Sequence, residues 1–293
     1  MRLFSRLACV AVAFGLSTMA GAVPVTAADR TTLQVPEVTQ QDVMPHLEAF
    51  QEIADRNGGT REHGTKGYQE SVAYVKLALD QAGFVTRLQT FDFQGAKGYN
   101  LIADWPGGDP NHVVFEGAHL DSIFGPGIND NGSGSAAVLA TALKVAQHDM
   151  TTDRHLRFAW WGAEEQGLIG SKHYVDHLSA TDRKKIDVYL NLDQAGSKNV
   201  KDWLVIHDAP RAADAFEAYF AARQLPTFEI GIGGSDHVSF GDAGIPTGGF
   251  STGISDCIHE ACDDINNIDP ATEVISTIAM LNVTWKLAAT QGR

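Results

Sequence analysis

The chain has 293 residues, 44% of them hydrophobic, with a formal net charge of −14. That is enough apolar material for a sizeable core, and an acidic exterior repels nucleic-acid phosphates and anionic membranes. Nucleic-acid and membrane partners are thereby excluded, leaving small solutes or peptides.

The chain opens with Arg2 and Arg6, an apolar run over residues 7–16 and small residues ending in Val25-Thr26-Ala27. This is the order of a basic n-region, an h-region and a cleavage site. A signal peptide over residues 1–27 is expected, and the apolar run is too short for a membrane span. Its loss removes two positive charges and takes the formal charge from −14 to −16. No linker, repeat or low-complexity tract divides the remainder, so residues 28–293 read as a single domain of a secreted protein, extracellular or periplasmic. It is expected to work as a monomer.

Residues 41–57 and 65–83 carry the apolar spacing of amphipathic helices, the second stopping at Gly83. Residues 85–93 alternate apolar and polar side chains and pair naturally with 99–105 as an edge hairpin. Residues 112–117, 156–161 and 188–193 are short, strongly apolar strands, and a small-residue helix begins near Gly132. Strands are further predicted at 203–207, 227–230 and 245–250, and helices at 211–224 and 271–289. Glu273, Asn282 and Lys286 mark the last helix as surface-packed, not membrane-spanning. Apolar strands alternating with helices predict an α/β fold of three layers, with a mixed, mostly parallel sheet of about eight strands between helices.

The chemistry gathers where these strands end. His119 and Asp121 follow the 112–117 strand, and Asp130 lies in Gly127-Ile-Asn-Asp-Asn-Gly-Ser-Gly134 before the small-residue helix. Glu164 and Glu165 follow the 156–161 strand, Asp193 closes the third, and His259 sits between Cys257 and Cys262. Open α/β sheets place their chemistry at such carboxyl ends. Two imidazoles and several carboxylates suit borderline-to-hard cations, most economically two Zn²⁺. In an exported chain an even cysteine pair favours a disulfide over a Cys-His-Cys thiolate zinc site.

In order and spacing, these residues resemble the secreted dizinc aminopeptidases of bacteria, metallopeptidase family twenty-eight, of the leucine-aminopeptidase type. The segments that carry the resemblance are Gly-Ile-Asn-Asp-Asn-Gly-Ser-Gly and Phe158-Ala-Trp-Trp-Gly-Ala-Glu-Glu165-Gln-Gly-Leu-Ile-Gly-Ser171. The resemblance implies that Asp130 bridges two zinc ions, that His119 and Asp193 complete one, and that Glu165 and His259 complete the other. It implies that Glu164 is the general base and that Asp121 accepts the other N–H of His119. It implies a cis peptide after Asp130, and removal of N-terminal, mostly apolar, residues from peptides with a free N-terminus.

Two positions depart from the pattern. Relatives carry an Arg before Ser235-Asp236-His237 and a Tyr before the ligand His; this chain has Gly234 and Ile258. Ser235, Asp236 and His237 are expected to support the site wall. A carboxypeptidase or dipeptidase on the same scaffold, and a non-catalytic metal- or peptide-binding relative, are the alternatives.

Overall fold

The computed structural model describes residues 35–230 and 233–289. The signal peptide expected over residues 1–27 lies outside the described residues.

Two helices lead into the sheet. Helix α1 (Gln40–Arg56) starts at a capping box, in which Asp42 accepts from the backbone N–H of Thr39 at 2.7 Å. Helix α2 (Lys66–Gln81) is capped by Thr65, whose hydroxyl accepts from the Tyr68 N–H at 3.2 Å. Strands β1 (Val85–Phe93) and β2 (Ala96–Asp104) form the predicted hairpin. Then come β3 (Asp109–His119), α3 (Gly134–Gln147), β4 (Arg154–Trp161), two short helices α4 (Ile169–Asp176) and α5 (Ala180–Arg183), and β5 (Ile186–Leu192). The rest is β6 (Trp203–Ile206), α6 (Pro210–Ala221), β7 (Thr227–Ile230), α7 (His237–Asp242), β8 (Thr247–Ser251) and α8 (Pro270–Ala289).

All eight strands join one sheet in the order β1-β2-β4-β3-β5-β8-β6-β7. The central four, β4, β3, β5 and β8, are mutually parallel, while β2 and β6 run against their inner neighbours. The expected mixed α/β sheet is therefore present, with its parallel part in the middle. Parallel strands must be covered on both faces, and the alternation of side chains divides β3 accordingly. Val114 and Ala118 enter the larger core with Phe50, Val138, Leu190 and Met280, whereas Val113 and Phe115 enter a smaller one with Trp161, Tyr174, Tyr189 and Phe240. Helices α3, α6 and α8 pack on the sheet from the first side, and α4 and α7 from the second.

At Gly134 a side chain would stand 2.3 Å from the Leu192 carbonyl, so only glycine lets α3 begin this close to the end of β5. This close approach brings the Asp130 segment beside the strand that ends at Asp193.

Helix α8 departs from expectation. Glu273, read as a surface marker, is 0% exposed, and neither of its carboxylate oxygens has a hydrogen-bond partner among the described residues. The helix covers the sheet and buries Ala279, Met280 and Leu281, so the polar residue follows it inward. Burial holds the Glu273 carboxyl well above its ordinary range, which keeps it neutral. No helix among the described residues is long and apolar enough to cross a membrane.

Candidate metal centre

The parallel strands all end at one edge of the sheet, and the polar residues that follow them converge there. His119 closes β3 and is 1% exposed. Its Nε2 lies 3.3 Å from Asp130 Oδ1 and 3.6 Å from Asp193 Oδ2. On the other side, His259 Nε2 lies 3.1 Å from Asp130 Oδ2 and 3.0 Å from Glu165 Oε2. Asp130 thus turns one oxygen to each imidazole. Two groups of potential ligands share it, His119-Asp130-Asp193 and Asp130-Glu165-His259, with the donor atoms of each within 4.8 Å of one another.

Adjacent carboxylates take different directions. Glu164 Oε2 is 3.8 Å from His119 Nε2, while Glu165 faces His259. The Asp121 carboxylate holds their turn, accepting the backbone N–H groups of Glu164 at 3.2 Å and Glu165 at 3.3 Å. His119 Nδ1 lies 3.2 Å from the Asp121 backbone carbonyl and 3.7 Å from the Asp121 carboxylate. The carbonyl and the carboxylate of Asp121 thus both face the imidazole, and the carboxylate also holds the next strand's exit.

Asp193 is fixed by a buried chain of hydrogen bonds. Trp161 Nε1 donates to the Tyr189 hydroxyl at 2.7 Å, which donates to Asn191 Oδ1 at 2.9 Å. Asn191 Nδ2 donates to Ser235 Oγ at 3.0 Å, which donates to Asp193 Oδ2 at 2.7 Å. An indole can only donate and a carboxylate only accept, so the chain has one direction throughout. Ser235 supports the wall as expected. Asp236 is fully buried, and His237 is 5% exposed with neither ring nitrogen hydrogen-bonded among the described residues.

Sequence reasoning missed Asp263. It is 1% exposed, and its carboxylate accepts the backbone N–H groups of Asn129 at 3.0 Å and Asp130 at 2.9 Å. The only sequence cue was an acidic pair just after Cys262, which resembles any solvated turn. The Asp130–Asn131 peptide is cis, as is Asp193–Gln194. Asn131, which fits a glycosylation pattern, is 0% exposed, and its amide donates to the Leu192 carbonyl at 2.9 Å.

Cys257 and Cys262 form a disulfide, which rules out thiolate ligation. The loop between them presents His259 at a φ of 57°. Three other histidines pair away from the site: His112 with Asp187 at 3.1 Å, His155 with Asp104 at 2.8 Å and His207 with Glu217 at 3.0 Å.

Burial pushes the Glu164 and Glu165 carboxyls well above their usual range. Burial opposes charge on His119, but Glu164 and Asp193 outweigh it and hold the imidazolium well above its ordinary value. Burial also works against ionising Asp130, yet hydrogen bonds from both histidines keep it low. His259 is raised, first by its hydrogen bond to Asp130. Without cations the cluster therefore shares protons among crowded carboxylates. Bound divalent cations would reverse this, releasing the protons and satisfying such atoms as the buried, unpartnered Oε1 of Glu165. The residues fit two zinc ions in number, donor type and spacing.

Beside this cluster lies a cavity of about 530 Å³. Leu168, Leu204, Ile230, Ile254 and Ile258 give it apolar walls, and its charged lining consists of Asp130, Glu164, Glu165 and Asp193 beside His237 and His259. Gly234 also lines it, and a side chain at that position would meet nothing within 4 Å.

Comparison with known proteins agrees with this architecture. Residues 100–284 match the model of Peptidase family M28. The chain is 45% identical over 312 aligned residues to leupeptin-inactivating enzyme 1 of Streptomyces exfoliatus, covering 97% of this chain and 71% of that one. It is 41% identical to an aminopeptidase of Pseudomonas aeruginosa strain PAO1, covering 66% of this chain and 42% of that longer one. Its fold matches a zinc aminopeptidase from Bacillus subtilis with a TM-score of 0.78 at 16% identity, over 89% of this chain and 97% of the other. The chain therefore belongs to peptidase family M28.

Proposed function

We propose that this metallo-aminopeptidase binds two zinc ions, one through His119, Asp130 and Asp193 and one through Asp130, Glu165 and His259, and releases apolar N-terminal residues from peptides. When bound, the ions polarise the scissile carbonyl and acidify water. Glu164 takes the proton of the attacking water and hands it to the departing amine. Its side chain, turned towards His119 while Glu165 faces His259, is left free for that exchange. Asp121 keeps Glu164 and Glu165 in their separate directions, and the donor chain from Trp161 to Ser235 keeps Asp193 in register.

The observation that carries this reading is the lining of the cavity: four carboxylates, two imidazoles and, among the described residues, no Lys or Arg. Such a wall attracts the ammonium of a peptide's N-terminus and offers nothing to a C-terminal carboxylate, which favours an aminopeptidase over a carboxypeptidase or dipeptidase. A relative named for inactivating leupeptin supports peptide-like substrates. The disulfide, the acidic surface and the leading apolar segment support export and action as a monomer on soluble peptides.

A panel of aminoacyl-nitroanilides tests the reading. Zinc-loaded protein should hydrolyse those with apolar aminoacyl groups, lose activity to a chelator and regain it with about two zinc ions per chain. No turnover across the panel by protein holding two ions would leave the non-catalytic reading standing.

A further inference from the structure

Among the described residues, Arg61 is the one arginine that is 0% exposed, and the proposed chemistry leaves it without a task. Burial lowers its pKa to about 10, while Asp121, Asp263, Glu165 and Asp130 act in the opposite sense, so it stays charged at neutral pH. Desolvating a guanidinium is costly unless its donors are well used. Among the described residues none of them goes to a carboxylate. Nη1 donates to the Leu120 carbonyl at 2.5 Å, Nε to Pro126 at 2.8 Å and Nη2 to Gly127 at 2.6 Å. The Phe50 ring lies beneath, 5.0 Å from the guanidinium carbon.

These carbonyls stand at the two ends of the loop formed by residues 120–127. The loop leaves His119 at one end and reaches Asp130 three residues after the other. A planar fork can grip both ends at once, which a tetrahedral ammonium cannot. Backbone bonds of residue 61 reinforce the grip, since its N–H donates to Ser122 Oγ at 3.0 Å. From the opposite side Asp263 takes the N–H groups of Asn129 and Asp130, and its backbone carbonyl takes that of Ile128 at 2.9 Å. One buried cation thus holds the carbonyls, and one buried anion the amides, of a single stretch that ends at Asp130.

We infer that Arg61 and Asp263 form a backbone clamp that fixes Asp130 between the two imidazoles, making Arg61 a positioning residue for both metal sites. This rests on the dizinc reading above. Because Asp130 belongs to both ligand groups, loosening the clamp weakens both ions together, whereas a change at His259 or Asp193 would weaken one. Arg61→Lys isolates the geometric contribution, since it keeps the charge and loses the fork.

The experiment is cobalt titration of the metal-free full chain, followed by visible absorption, with the metal-free melting temperature measured in parallel. Arg61→Lys should bind both ions at least ten-fold more weakly. Asp263→Asn, which puts an amide N–H against backbone N–H groups, should do the same and decides the matter if Arg61→Lys fails to fold. Leu79→Ala, a core truncation in α2, should lower the melting temperature with cobalt affinity unchanged. Wild-type affinity in a folded Arg61→Lys or Asp263→Asn overturns the clamp, as does an equal loss of affinity in Leu79→Ala. Wild-type protein that binds no cobalt refutes the dizinc centre itself, a separate failure.

Discussion

Glu116 lies on β3 three residues before His119 and is 0% exposed. Thr284 donates to its Oε1 at 2.5 Å, and its Oε2 has no partner among the described residues. Burial raises the carboxyl from an ordinary 4.5 to about 8, against the pull of the Thr284 hydrogen bond. The folded protein therefore keeps this proton up to about pH 8, and the unfolded chain releases it near 4.5. Between those values the folded state binds more protons, so the stability contribution is complete below pH 4.5 and is lost as the pH rises through about 8. At about 1.4 kcal/mol per pH unit the loss across that window is on the order of 5 kcal/mol. Glu116→Gln keeps an acceptor for Thr284 and cannot ionise. Its stability relative to wild type, measured by urea unfolding of the metal-free proteins at a series of pH values, should improve by several kcal/mol from pH 4.5 to 8. Curves that run parallel within about 1 kcal/mol would refute the claim that a neutral carboxyl is buried here.

Glu164→Gln should lower kcat by about 10²- to 10⁴-fold, the usual worth of a positioned general base, with the zinc content of the protein unchanged. Activity within ten-fold of wild type would remove Glu164 from the chemistry. Replacing both Cys257 and Cys262 by Ser should cost about 2 kcal/mol in urea unfolding, from the chain-entropy cost of so short a loop. In the same protein one of the two proposed zinc ions should be held more weakly, because of the proposed ligands only His259 rides on that loop. Loss of both ions together would show that the loop organises more than its own ligand.

Much of this arrangement could be read in the chain itself because its signals are local. The strands ending at His119, Trp161 and Leu192 are apolar on both faces, which is what a covered parallel sheet requires, and polar residues crowd at their exits. The disulfide and the edge hairpin were equally legible. What escaped depends on partners distant along the chain. Arg61 and Asp263 act through main-chain groups, so nothing in their own neighbourhood betrays them. Glu273 looked like a surface residue because its helix carries other polar side chains, and only the packing of α8 on the sheet shows it to be buried. Likewise α4 and α7 are too short for apolar periodicity to announce, and the reversal of β6 against β8 is a matter of topology. The Asp121 carboxylate, expected on His119, also serves a turn more than forty residues away, which nothing beside it in the sequence announces.

Part of the cavity's wall is built from different material than most of its reactive floor. His119 and Asp193 sit at strand ends whose pairing is shared with the core, whereas Ile258 and His259 belong to a covalently tied loop outside the sheet and Ile254 precedes that loop. Mutation can therefore reshape which peptides are admitted, at Ile254 or Ile258, without disturbing the fold. A scaffold divided in this way lets diet change while digestion stays the same.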